Sequence, residues 1–171
     1  MPNPAYCQAM ARYNLWQNDN LITAANTLSK AERQKDHGAF FGSIQQTFSH
    51  LAWGDTIWFS RFADIQPPDL AIADSAQYLP DWEAYCTRRK DLDQQILAWA
   101  KEVPEAWFNG DLSWYSGAIE RDVTKPKALL VMQFFNHQTH HRGQIHAMLT
   151  AAGARPGDTD IPFMPDSYAA L

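Results

Sequence analysis

The chain has 171 residues, 46% of them apolar, with 14 Lys+Arg against 19 Asp+Glu for a formal charge of −5. That length suits a single domain over 1–171 with a sizeable core, and seven Trp, nine Phe and six Tyr argue against disorder. The acidic balance without a Lys/Arg cluster argues against a nucleic-acid-binding module, and no apolar run reaches bilayer length.

The opening Met1-Pro2-Asn3-Pro4-Ala5 lacks the basic-then-apolar order of a secretory signal, so a cytoplasmic protein is expected. Cys7 and Cys86 form no C-x-x-C unit, which excludes a disulfide framework or cysteine-rich zinc module and leaves at most one bridge.

Four segments read as helices. In residues 5–30, Tyr6, Met10, Tyr13, Leu21, Ala24 and Leu28 recur at helical spacing on one face. Charged and turn residues follow over 31–38. In residues 41–63 a stripe of Ile44, Phe48, Leu51, Trp58 and Phe62 runs to the break at Pro67-Pro68. The third helix, from Ser75 or Asp81 to Lys101, carries Trp82, Tyr85, Cys86, Ile96 and Ala100, with Arg89 and Asp93 placed as an ion pair one turn apart. The fourth starts at Pro126, in a first-turn position, and ends at Ala152-Gly153. Between the last two helices, weak alternation about Gly117 reads as a short hairpin or an irregular loop. The tail Asp158-Thr-Asp-Ile-Pro-Phe-Met-Pro is too rich in proline for a helix and too apolar to stay unpacked. An all-α fold built as a four-helix bundle follows.

Six histidines are the unusual feature, and three crowd into His137-Gln-Thr-His140-His141. At about 100° per residue, His141 falls inside the apolar stripe of its helix and His137 on the stripe's edge. His140 and His146 point away. Two imidazoles spaced i, i+4 on one face can converge on a single ion, with a third ligand from a facing helix. His37 lies in a polar connection and reads as a solvated loop residue. His50 sits mid-helix, about 120° from the main stripe and nearer Trp53 and Ile57. Periodicity permits it to face the fourth helix without requiring it, so a metal triad and three hydrogen-bonded or surface histidines both remain open.

Other polar residues fall on inner faces. Gln17 and Asn20 of the first helix are candidates to hold a histidine's second nitrogen, against ordinary core polarity. Asp55 lies in the second helix's apolar stripe, where it needs a partner from Arg61, Arg89 or Arg142, or serves as a general base. Gln144 points toward the histidine side, and Gly143 suits a close helix approach. Trp53, Trp58, Trp99, Trp107 and Trp114 read first as core or interface and only second as a cleft lining.

The stretch Gly38-Ala-Phe-Phe-Gly-Ser-Ile-Gln-Gln-Thr-Phe-Ser-His50-Leu-Ala-Trp-Gly-Asp55-Thr-Ile-Trp58-Phe-Ser-Arg61-Phe resembles the second-helix signature of the DinB family of DinB/YfiT-like metalloenzymes. Phe135-Asn136-His137-Gln-Thr-His140-His141-Arg142-Gly143-Gln144-Ile-His-Ala-Met-Leu, Ala152-Gly153 and Asp160-Ile-Pro-Phe extend the resemblance over nearly the whole chain. It implies a four-helix bundle with a crossover connection, a homodimer, and a divalent metal held by His50, His137 and His141 with an open coordination position. Imidazole ligands suit zinc, nickel, iron, copper or manganese. Related bundles include thiol-dependent transferases and isomerases and proteins described as hydrolases. The expected function is metal-dependent hydrolysis, or transfer involving a low-molecular-weight thiol, on a small molecule. The alternative is a non-catalytic metal-binding or stress-associated protein.

Overall fold

Asn3 opens the first helix by accepting a hydrogen bond from the Tyr6 amide at 2.8 Å, and α1 runs over Pro4–Ala25. The computed structural model describes residues 1–170. α1 ends five residues before the expected 30 because Ser29 and Glu32 form a reciprocal capping box that starts a separate short helix, α2 (Lys30–Gln34). α3 spans Ile44–Phe62 behind Ser43, whose hydroxyl accepts from the Gln46 amide. A 3-10 stretch, Ile72–Gln77, takes Ser75 out of the third long helix, so α4 begins at Trp82 behind Asp81 and ends at Glu102. The weakly alternating segment is an antiparallel hairpin, β1 (Asp111–Ser116) and β2 (Arg121–Pro126), with Trp114 opposite Val123. α5 covers Lys127–Ala151, so Pro126 closes the strand and caps the helix instead of occupying its first turn. Gly153 follows with a φ of +86°, a conformation that glycine reaches without steric cost.

The tail packs back, as its composition requires. Tyr13 Oη donates to the Thr159 carbonyl, and Tyr168, on α6 (Asp166–Ala169), donates to Asp19, both at 2.8 Å.

The fold is helical apart from that hairpin. α1 packs on α4 and α5, and α3 packs on α4 and α5. The core falls into two apolar halves. One gathers Leu15, Phe59, Leu92, Ile96, Val131 and Phe134, and the other Leu21, Ile44, Phe48, Tyr85, Ile145 and Leu149. Trp58, Trp99, Trp107 and Trp114 pack against the first half, while the Trp53 indole donates to the Leu70 carbonyl. Cys7 belongs to one half and Cys86 packs on the other, and both are free thiols. Gly143 faces open space, not a close helix crossing. Among the described residues no helix is long and apolar enough to cross a membrane.

On every long helix the residues between the two apolar sets are polar and buried: Asn14 and Asn18 on α1, Asp55 on α3, Arg89 and Asp93 on α4, Gln138 and Arg142 on α5. Arg89 donates to Asp55 at 2.5 Å and to Asp93 at 2.7 Å. Asp93 also accepts from Asn14 at 2.8 Å and from Asn18 at 3.0 Å, and Arg142 donates to the Asn14 carbonyl oxygen. The expected Arg89–Asp93 pair is present, and Arg89 is the partner Asp55 needed.

Breaking such a set strands buried charge. Arg89→Met is therefore expected to lower unfolding stability by about 3–5 kcal/mol. Arg61→Met is the comparison: its guanidinium lies 4.4 Å from the Trp58 ring centroid and 5.2 Å from that of Trp114. Losing that stacking should cost about 1 kcal/mol or less. Urea denaturation of both variants checks this, and equal losses would count against a central role for the network.

Candidate metal centre

α3 and α5 meet along a seam that brings His50, His137 and His141 together, each with a ring nitrogen within 4.8 Å of those of the other two. Their ring centroids lie 4.4 Å (His137–His141), 4.6 Å (His50–His141) and 5.4 Å (His50–His137) apart. His137 reaches the seam because α3 has Gly54 there. A Cβ at position 54 would stand 2.4 Å from His137 Cε1, closer than any side chain permits.

Two rings are fixed by neighbours. His50 Nδ1 lies 2.8 Å from Ser75 Oγ, and His141 Nδ1 lies 2.8 Å from Gln144 Oε1. With the amide oxygen accepting, the Nδ1-protonated tautomer of His141 fits this contact and presents the Nε2 lone pair. That Nε2 is 3.1 Å from His137 Nε2. Two nitrogens each about 2.0–2.1 Å from one tetrahedral ion stand about 3.3 Å apart, so the spacing suits a shared ion. His137 Nδ1 is buried with no partner among the described residues, which leaves its tautomer free to present Nε2 as well.

The rings are also held neutral, the form that binds metal. Burial, with the neighbouring His141 and His137, pushes His50 down to about 3. Burial first, then a neighbouring imidazole, takes His137 and His141 each to about 4. The group could hold a metal ion, and a cleft of about 630 Å³ opens directly onto it.

The family model for the DinB family matches residues 1–169. The chain belongs to the DinB family. It is similar to Protein DinB of Bacillus subtilis (strain 168), with 26% identity over 155 residues, 86% of this chain and 87% of that protein. No solved structure matches the chain.

Within this DinB-family chain the remaining expected site residues divide. Gln144 is in place, through its amide oxygen. Gln17 is not: its amide donates to the Asp158 carbonyl at 2.9 Å and holds the tail. Asn20 lies near Gly157, again at the tail. Asp55, fully buried against Arg89, belongs to the inter-helix network and is not free to act as a base. His140 is exposed at the cleft's rim, with its ring 4.8 Å from that of His141. His146 is half-buried, with Nε2 3.3 Å from the Gly157 carbonyl, and His37 is half-buried in its loop instead of fully solvated.

Sequence reasoning missed Ser75 and Gly54. Ser75 sits in a non-repeating 3-10 turn where periodicity carries no signal. Gly54 was legible only as a small residue one turn after His50.

In an unfolded chain each imidazole titrates near about 6.5, above its folded value. As pH falls below that, the unfolded chain binds protons that the folded site refuses, so stability declines toward about pH 4 and is unaffected above the window. Thermal unfolding of metal-free protein should therefore fall more steeply between about pH 7 and pH 4.5 than that of the His50→Gln/His137→Gln/His141→Gln variant. Parallel profiles would contradict neutral burial of the three rings.

Proposed function

We propose that His50, His137 and His141 hold a divalent transition metal with an open coordination position, and that the protein is a metal-dependent enzyme acting on a small molecule. The observation carrying this is the convergence of three neutral imidazoles beneath an open cleft. Zinc, nickel, iron or manganese suit the donor set. Bound there, the ion would supply Lewis acidity that favours the deprotonated form of a thiol or hydroxyl group. Ser75 and Gln144 keep the rings oriented, and Gly54 keeps the place of His137 clear.

Between the two chemistries, thiol transfer has the better support. Hydrolysis gains from a carboxylate base beside the attacking water, and among the described residues no Asp or Glu lines the cleft. A thiolate is a nucleophile without such a base. The non-catalytic alternative predicts an ion sealed beneath aromatic rings, whereas this cleft reaches the histidines.

His50→Ala, His137→Ala and His141→Ala should each lose bound metal by elemental analysis, while His140→Ala and His146→Ala retain it. Ser75→Ala and Gln144→Ala should weaken affinity by about 10–100-fold. The same preparations, reconstituted with each metal and screened for thiol-transfer and for esterase or amidase activity, should show metal-dependent thiol transfer. Unchanged metal content in the three ligand variants would sink the triad.

We further infer a four-helix bundle with a crossover connection, because α1 packs chiefly on α4 and α5 although α3 is the next long helix in the chain. Free Cys7 and Cys86 suit a reducing, cytoplasmic setting. A homodimer is supported by an apolar groove between α1 and α5, where Leu129 is 46% and Met132 43% exposed. Leu129→Glu/Met132→Glu should shift the mass measured by light scattering from dimer to monomer. A parent already monomeric at micromolar concentration would refute the homodimer.

A further inference from the structure

We propose that the pocket enclosed by α1, α5 and the C-terminal tail is a second ligand site, built for a small monoanionic carboxylate with a short apolar body that Arg142 receives. The site is independent of the metal centre: its residues on α5 lie on a different face of that helix from His137 and His141.

Arg142 carries the argument. It is 4% exposed, and among the described residues it forms no ion pair, whereas Arg89 holds two carboxylates. Both of its acceptors are neutral: Asn14 Oδ1 and, at 3.4 Å, Thr139 Oγ1. Asn14 stands between Arg142 and Asp93, accepting from the one and donating to the other at 2.8 Å. A guanidinium has five N–H donors, so two acceptors leave it with capacity to spare. Buried cations ordinarily sit against an anion, and Arg142 forms part of the wall of a pocket of about 330 Å³ through which one can reach it.

The pocket is shaped for an anion. Among the described residues no Asp or Glu lines it. The tail's Asp158 comes close only through its backbone carbonyl, which accepts from Gln17, while its side chain is exposed. Tyr13 Oη on the Thr159 carbonyl and His146 Nε2 at 3.3 Å from the Gly157 carbonyl fix the same stretch of tail, so the wall is tied down on three sides. Leu21, Ala147 and the Tyr13 ring supply apolar surface beside the guanidinium, whose carbon lies 5.3 Å from that ring's centroid.

Gly143 keeps the pocket open. Glycine inside a helix is destabilising, and it is normally retained for a positive φ or a close packing contact. Gly143 has neither: it continues α5, and a Cβ there would meet nothing within 4 Å. The space beside Arg142 that a side chain would occupy is left to the pocket. One fixed cation balances one negative charge, so a dianion would bring a second charge with no partner. The volume lies at the low end of small-molecule sites, which suits an acid of a few carbons.

The test is an NMR titration of the ¹⁵N-labelled full chain with butyrate, butyramide and sulfate at constant ionic strength, reading the Arg142 Nε–H signal and the Thr139 amide. The Arg142 signal is the one absent from Arg142→Lys. Butyrate should shift both signals saturably and bind about tenfold or more tightly than its neutral isostere butyramide and than the dianion sulfate. Gly143→Leu should weaken butyrate about tenfold or more by filling the pocket. This variant removes no contact and raises helix propensity, so it should fold, and circular dichroism checks that it does. The metal-free His50→Gln/His137→Gln/His141→Gln variant should bind butyrate as the parent does, which separates this site from anion binding to an ion at the histidines. Butyramide within about threefold of butyrate, sulfate binding more tightly than butyrate, or a folded Gly143→Leu that binds butyrate unchanged would each overturn the proposal. Butyrate binding lost with the three histidines would overturn it too.

Discussion

Two guanidinium groups and two carboxylates lie in the middle of this apolar helical core, and such charges are tolerable there only when each is held by polar partners: Arg89 pairs with both carboxylates, and Arg142 is held through Asn14. Arg89 is the pivot, bridging Asp55 of α3 and Asp93 of its own helix. Through Asn14 and Asn18 the set reaches α1, and through Arg142 it reaches α5. Apolar residues above and below could slide by a turn and still be covered. The polar layer cannot, because any other register strips Asp55 and Asp93 of Arg89 or Arg142 of Asn14. Directional bonds from all four long helices at one level therefore set their relative heights.

That register also assembles the histidines. Gly54 is followed immediately by Asp55, His137 by Gln138, and His141 by Arg142. On α3 and α5 one residue of each adjacent pair turns to the buried layer while its neighbour, about 100° round the helix, turns to the seam. Fixing Asp55 against Arg89 places Gly54 opposite His137, where only a residue without Cβ allows the ring to enter. The ionic layer and the candidate metal centre are two faces of one helical register, so damage to the first should be felt in the second.

The long helices and the inward pair His137 and His141 were legible because both obey the 3.6-residue repeat, which amphipathic residues report directly. The Arg89–Asp93 pair was legible for the same reason, being one turn apart. His50 was not settled by periodicity, since α3 is buried on much of its circumference and several faces compete. Resemblance to the DinB family supplied it. Gln17 and Asn20 misled because an inward position on α1 specifies depth and not neighbour: the residues facing them are the tail's Asp158 and Gly157. Ser75 lies outside any repeat. Its role comes from a chain crossing that a linear pattern does not encode.

The charge balance at the seam then limits what chemistry the centre can do. Three neutral imidazoles contribute no negative charge, so a divalent ion bound among them would keep its full double charge in a partly dry environment. Asp55, the carboxylate of the adjoining layer, is held by Arg89 and cannot offset it. No acidic side chain lines the cleft among the described residues. An ion held there would therefore draw its compensating charge from outside the side chains, by favouring the deprotonated form of whatever water, hydroxyl or thiol binds at the open position.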